Sequence, residues 1–225
     1  SLERLVATIE RVLRDDEAIE IVEKISQNNA SEEVLSTLAE IYFRATKVEK
    51  WHDTYQRILN LYPAGTGFYE HVSDIYYNLQ QYDKAAEYME RTLEICNNHS
   101  QFWEKYGKIN RALNKNNEAI DSYKKALEYD PANYDARESL RQLQDQKPVF
   151  STFETVDTDE LIKKAPDSGV YPEDGAVILL HDIKRVVYPE GASEFLGEEL
   201  VKVFNDVGIE EFKEDYISFS PYSEN

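Results

Sequence analysis

The feature that most constrains this chain is an echo with a period of 34 residues. Tyr69, Ala85 and Leu93 recur as Trp103, Ala119 and Leu127, and Leu35, Tyr42 and Tyr55 lie one period before Tyr69, Tyr76 and Met89. A fixed period of this length marks a stack of helix pairs, because one pair cannot bury its apolar face alone and must be covered by its neighbours. Such a stack suits holding other molecules more than transforming them.

The clearest unit runs from Ser100 to about Asn133. It reads Trp103-x2-Tyr106-Gly107-x2-Asn110, then Ala119-x3-Tyr123, Ala126 and Pro131. The small Gly107 and Ala119 are expected where two helices cross closely, with Trp103, Tyr123 and Leu127 filling the space between helices. Pro131 cannot continue the second helix, since it lacks an N–H and its ring clashes with the preceding turn. The pattern resembles the tetratricopeptide repeat, W-x2-L-G-x2-Y, then A-x3-F, then P, with Tyr106 in place of Leu and Asn110 in place of Tyr.

One period earlier, Tyr69, Val72, Ser73, Tyr76, Ala85, Met89, Thr92 and Asn97 occupy the matching places. One period before that come Leu35, Leu38, Ala39, Tyr42, Trp51, Tyr55, Ile58 and Pro63. Trp51 stands where Ala is usual, so this pair is expected to pack more openly. Leu2, Leu5, Val6, Ile9, Val12 and Leu13 form an earlier helical stripe. Ala18, Val22 and Ile25 form another, one residue out of register with the rest. After Pro131, Tyr134, Ala136, Leu140 and Leu143 continue the helical spacing as a capping helix with a polar outer face. The expected fold is mainly α: a superhelix of about four helix pairs plus a cap over residues 1–146, a linker over 147–174 and a partial, truncated antiparallel β domain over 175–225, α+β overall.

The resemblance implies that the first helix of each pair lines a concave face, which in such arrays commonly binds an extended peptide. Register places Ser36, Glu40, Phe43 and Arg44, then Glu70, Asp74, Tyr77 and Asn78, then Glu104, Lys108 and Arg111 on that face. Phe43 and Tyr77, one period apart, are expected side by side, offering flat apolar surface at low entropy cost. Charge runs from acidic at Glu40, Glu70 and Asp74 to basic at Lys108 and Arg111. A solvated face with the aromatics packed on their own neighbours is the plainer alternative. The Lys, Asn, Asn, Lys, Arg clamp with which some such proteins hold a C-terminal carboxylate is not matched: the corresponding places include Ser36, Glu40, Asp74 and Lys105, which disfavours a chaperone-tail adaptor.

Net charge is −19. Such a chain repels nucleic acid and anionic lipid. Residues 1–146 hold 18 Lys+Arg against 26 Asp+Glu, and residues 147–225 hold 7 against 18, so the excess is densest in the last third. That excess favours solubility; a calcium site or a basic partner is the alternative, although no Asp-x-Asp-x-Asp-Gly loop supports calcium. No run approaches the roughly 18 apolar residues of a membrane span. The chain starts at Ser1, and its compartment, cytoplasmic or periplasmic, stays open.

Composition shifts near Lys147-Pro148. Pro148, Pro166, Gly169 and Pro172 mark an irregular stretch, with a helical turn expected after Thr158 as N-cap. Ala176–Tyr188 reads as a strand, Pro189-Glu190-Gly191 as a turn, Glu198–Phe204 as a second strand and Tyr216–Phe219 as a third. Phe195 to Val207 also suits a helix. Val177–Asp182, Tyr188–Gly191 and Leu200–Glu210 resemble the opening of a domain of unknown function that follows tetratricopeptide arrays and precedes transglutaminase-like domains in bacterial proteins. That resemblance implies the start of a β-sandwich, whose open edges invite pairing between chains.

No catalytic set is expected. A thiol enzyme needs a thiolate, a histidine base and an orienting carboxylate. Cys96, the single cysteine, lies three residues before His99 in a turn between repeats, where no deep pocket is expected. His52, His71, His99 and His181 show no metal-ligand spacing, and no cofactor or metal is expected. The reading is a protein- or peptide-binding scaffold forming the non-catalytic front of a larger bacterial protein. The alternatives are the substrate-recruiting front of a transglutaminase-like Cys-His-Asp enzyme and a self-assembling scaffold that dimerises through open β edges.

Overall fold

The computed structural model describes residues 15–214. The stripe from Leu2 to Leu13 and the strand expected at Tyr216–Phe219 lie outside them. The chain divides into two compact units, Ser1–Asp145 and Gln146–Asn225.

The first unit is helical: α1 (Asp15–Asn28), α2 (Glu32–Arg44), α3 (Val48–Leu61), α4 (Thr66–Asn78), α5 (Tyr82–Ile95), α6 (Ser100–Ala112), α7 (Asn116–Tyr129) and α8 (Tyr134–Leu143). The helix starts Glu32, Thr66 and Ser100 are 34 residues apart, as are Val48, Tyr82 and Asn116. Helix α1 ends 33 residues before α3, at Asn28 against Leu61, the one-residue offset seen in its apolar stripe.

The period survives because the same places carry the same packing task. Ala39, Ser73 and Gly107, all buried, sit at the crossing of each pair. A Cβ on Gly107 would stand 2.7 Å from the Tyr123 ring, so only glycine lets α6 and α7 approach this closely. Ser73 donates from its hydroxyl to the Ala85 carbonyl (2.8 Å), turning the crossing into a hydrogen bond between α4 and α5. Across that crossing Trp51, Ala85 and Ala119 are equivalent. Trp51 is buried and packs against Phe43, Tyr55 and Tyr76 at ring separations of 5.9, 5.3 and 5.4 Å. Its bulk keeps α2 and α3 less closely packed than α4 and α5, while its contact with Tyr76 ties one pair to the next.

Each first helix ends without a glycine. Thr46, Gln80 and Asn114 nevertheless take left-handed backbone, with φ of 58°, 58° and 60°. In each case the chain closes a Schellman turn, for which glycine is the usual residue. After α2, the Lys47 N–H donates to the Tyr42 carbonyl (2.8 Å) and the Thr46 N–H to that of Phe43 (2.9 Å). Helix α8 is capped by Asn133, whose side chain accepts from the Ala136 N–H (2.9 Å).

The second unit holds α9 (Thr158–Lys164), β1 (Ala176–Val187), β2 (Ser193–Val203) and α10 (Asp206–Phe212). The N-cap of α9 is Asp157, not Thr158: the Asp157 carboxylate accepts from the Glu160 N–H (3.0 Å), and Thr158 is the first helical residue. The strands form one antiparallel hairpin with a bulge between Ile178 and Leu180. Among the described residues the sheet has two strands rather than three. Strand β2 begins at Ser193, five residues before the expected start, because pairing with β1 outweighs the poor strand propensity of Glu194 and Gly197. The segment from Asp206 is helical. Asn205 caps it by accepting from the Val207 and Gly208 N–H groups (3.0 and 3.2 Å), and a Cβ on Gly175 would stand 2.6 Å from the Gly208 nitrogen.

Lys184, on one side of the hairpin, is buried and held by Asp182 (3.0 Å) and Glu198 (2.7 Å). The opposite side is open and mixed: Ile183, Val187 and Phe195 are 62%, 64% and 75% exposed beside the Arg185–Ser193 and His181–Glu199 pairs.

Candidate functional site

The candidate residues lie on α2, α4 and α6, the first helices of successive pairs. Glu40, Arg44, Asn78 and Arg111 are exposed, while Ser36, Phe43, Glu70, Asp74, Tyr77, Glu104 and Lys108 are half-buried. Phe43 leans on Trp51, and Tyr77 on Tyr82 (5.4 Å between rings), so each aromatic is engaged with its own repeat.

Acids and bases on this face interdigitate instead of separating into blocks. Lys105 bridges Glu70 and Asp74, 2.6 Å from each, and so ties α6 to α4. Lys108 pairs with Glu104 and lies 4.0 Å from Asp135. Asn133 donates to Glu104 (2.9 Å), so the residue capping α8 also fixes that carboxylate. Arg111 donates to the Gln142 side chain (3.2 Å), and Arg44 pairs with Asp15 (2.7 Å). Burial alone would lower the pKa of Lys105 and of Lys108. Hydrogen bonds to Asp74 and Glu70 in the first case, and to Glu104 in the second, outweigh it and raise both.

Lys105 is the residue that the sequence reading passed over as a candidate. Its signal was present: Lys105 lies 31 and 35 residues after Asp74 and Glu70, which is one period to within a helical step. Residues so spaced face each other on adjacent first helices. Between α4 and α6, Asp74, Tyr77, Lys105, Lys108 and Ile109 line a pocket of about 220 Å³.

Elsewhere the side chains turn to local partners. Cys96 donates to the Asn98 side chain (3.3 Å), while the His99 ring stacks on Phe102 (4.6 Å), so the two candidates for thiol chemistry engage different neighbours. Among the described residues no group of three His, Cys, Asp or Glu side chains gathers to hold a metal, and no helix is long and apolar enough to cross a membrane.

Residues 107–140 match the family model described as TPR repeat, and residues 67–99 match that described as tetratricopeptide repeat. No curated protein matches the chain. Among solved structures, MamA 41-end from Desulfovibrio magneticus RS-1 is 14% identical, with a TM-score of 0.51 over 64% of this chain and 82% of that one. A crystal structure of MamA is 16% identical, with a TM-score of 0.50 over 58% of this chain and 77% of that one. The first TPR of Spaghetti (RPAP3) bound to HSP90 peptide SRMEEVD is 22% identical over 50% of this chain and 89% of that one. Its TM-score is 0.44. The two MamA likenesses show a shared fold alone. Residues 67–99 and 107–140 of this chain are tetratricopeptide repeats.

Proposed function

We propose that the chain is a non-catalytic binding scaffold whose first-helix face takes an extended peptide from another protein. One observation supports this reading: Asp74, Tyr77 and Lys108, which the repeat register assigns to the binding face, line a pocket between α4 and α6 together with Lys105 and Ile109. Aromatic rings of this kind supply contact area at low entropy cost. The test is selection from a random peptide library on the wild type and on Tyr77→Ala, with thermal unfolding as the control for folding. Selection that Tyr77→Ala abolishes supports the reading; selection unaffected by a folded Tyr77→Ala contradicts it.

A second reading, pairing of two copies through the hairpin, is favoured by the open side bearing Ile183, Val187 and Phe195. An isolated two-stranded hairpin is marginal in water, and covering this side would stabilise it. Sedimentation that shows a concentration-dependent dimer, lost in Phe195→Glu, supports pairing; a monomer at high concentration counts against it. The resemblance to the front of a transglutaminase-associated β-sandwich is compatible with β1 pairing the quoted Val177–Asp182 stretch with Glu198–Lys202. A Cys, His, Asp set in the gene beyond Asn225 would favour the enzyme-front alternative, and a stop codon shortly after Asn225 would sink it.

A further inference from the structure

We infer that the pocket between α4 and α6 accepts a basic side chain, arginine or lysine, from the bound peptide. The inference rests on the peptide-binding reading above and specifies what that face recognises. The pocket's volume of about 220 Å³ suits a long side chain, and Tyr77 and Ile109 give it an apolar wall for the stem. Its rim is acidic. Two ammonium groups, Lys105 and Lys108, face four carboxylates: Glu70 and Asp74 around the first, Glu104 and Asp135 around the second. Two negative charges therefore remain uncompensated within these pairs.

An acidic ligand would have to compete with the carboxylates that already engage both lysines of the pocket. Lys105 is already held by two carboxylates, and Lys108 by a Glu104 that Asn133 fixes in place. A basic ligand meets acceptors with capacity to spare. A carboxylate offers about four lone-pair sites, and the Asp74 side chain, 45% exposed, is engaged by Lys105 at one oxygen while lining the pocket. A guanidinium entering there shares Asp74 and lies against the Tyr77 ring, a favourable arrangement for a cation. The chain's net charge of −19 steers cationic peptides toward it and acidic ones away.

The experiment uses the full chain and a library of random nonapeptides with acetylated and amidated ends, which removes terminal charge. The expected result is selection of Arg or Lys at one position. Replacing that residue by norleucine in the selected peptide should weaken binding about ten-fold, the scale of one charge-assisted hydrogen bond. Lys105→Met gives the sharper reading. It frees Glu70 and Asp74 from their internal competitor, so the basic peptide should bind about ten-fold tighter by fluorescence anisotropy; recognition of acids predicts weakening. Should Lys105→Met fail to fold, Asp74→Asn should reduce the ratio of affinities for the arginine and norleucine peptides. Selection of acidic residues, tightening absent in folded Lys105→Met, or an unchanged ratio in Asp74→Asn would overturn the inference and leave the peptide-binding reading standing. A library that yields no selected sequence sinks both.

Discussion

Thr46, Gln80 and Asn114 form a natural series: three different residues in the same left-handed position, one period apart, with φ between 58° and 60°. A left-handed conformation costs an L-residue about 1–2 kcal/mol, most for a β-branched side chain and least for Asn. Glycine removes that strain but adds about 0.5–1 kcal/mol of unfolded-state entropy. Thr46→Gly also loses a local hydrogen bond from the Thr46 hydroxyl to the Ala45 carbonyl (2.7 Å), which is exposed and contributes little. The balance predicts stabilisation of about 1 kcal/mol for Thr46→Gly, about half that for Gln80→Gly and near zero for Asn114→Gly. Urea denaturation at constant m-value measures the series. Thr46→Ala, which keeps a Cβ, should recover less than Thr46→Gly. A destabilised Thr46→Gly, or Asn114→Gly gaining most, would refute the reasoning, because the Schellman turns would then not be where the strain resides.

Gly107→Ala should destabilise the array by about 1–2 kcal/mol, since overpacking against Tyr123 outweighs alanine's helix preference, read by urea midpoint. Gly208→Ala should loosen α10 from the start of β1, seen as faster amide exchange at Phe204, whose N–H donates to the Gly175 carbonyl (2.8 Å). At high pH the array should lose stability. Burial pushes Tyr55 and Tyr88 up to about 12, and burial with the Glu90 hydrogen bond does the same for Tyr106. Their ordinary value is 10.0, so the unfolded chain releases these protons first. The stabilisation is therefore complete below pH 10 and lost as pH rises toward 12, by about 2–3 kcal/mol for Tyr55 alone and less for the half-buried pair. Absorbance at 295 nm in the same titration should show a late tyrosine class; its absence would contradict the burial argument.

The repeat register was legible because packing at Ala39, Ser73 and Gly107, and at Trp51, Ala85 and Ala119, depends on side-chain size, which sequence displays directly. The left-handed turns were not, because Thr46, Gln80 and Asn114 carry no glycine signal and the turn is enforced by the helices on either side. The N-cap of α9 was misplaced by one residue because Asp157 and Thr158 are both good caps, and only the bond to Glu160 decides between them. The early start of β2 was hidden since Ser193–Gly197 is held by its partners on β1, with Arg185 donating to the Ser193 hydroxyl (3.0 Å), more than by its own propensity. On the candidate face, register indicated which residues share the first helices. Which charges pair depends on reach between helices, so Lys105 emerged from the structure as the link between α4 and α6.

The most direct test of the central claim is amide-resolved NMR titration of the full chain with a library-selected peptide. The largest shifts should fall on α4 and α6 around Tyr77 and Lys105, and Tyr77→Ala should weaken binding at least ten-fold at unchanged unfolding temperature. Shifts confined to the second helices or to the hairpin, with Tyr77→Ala binding as the wild type does, would contradict the claim.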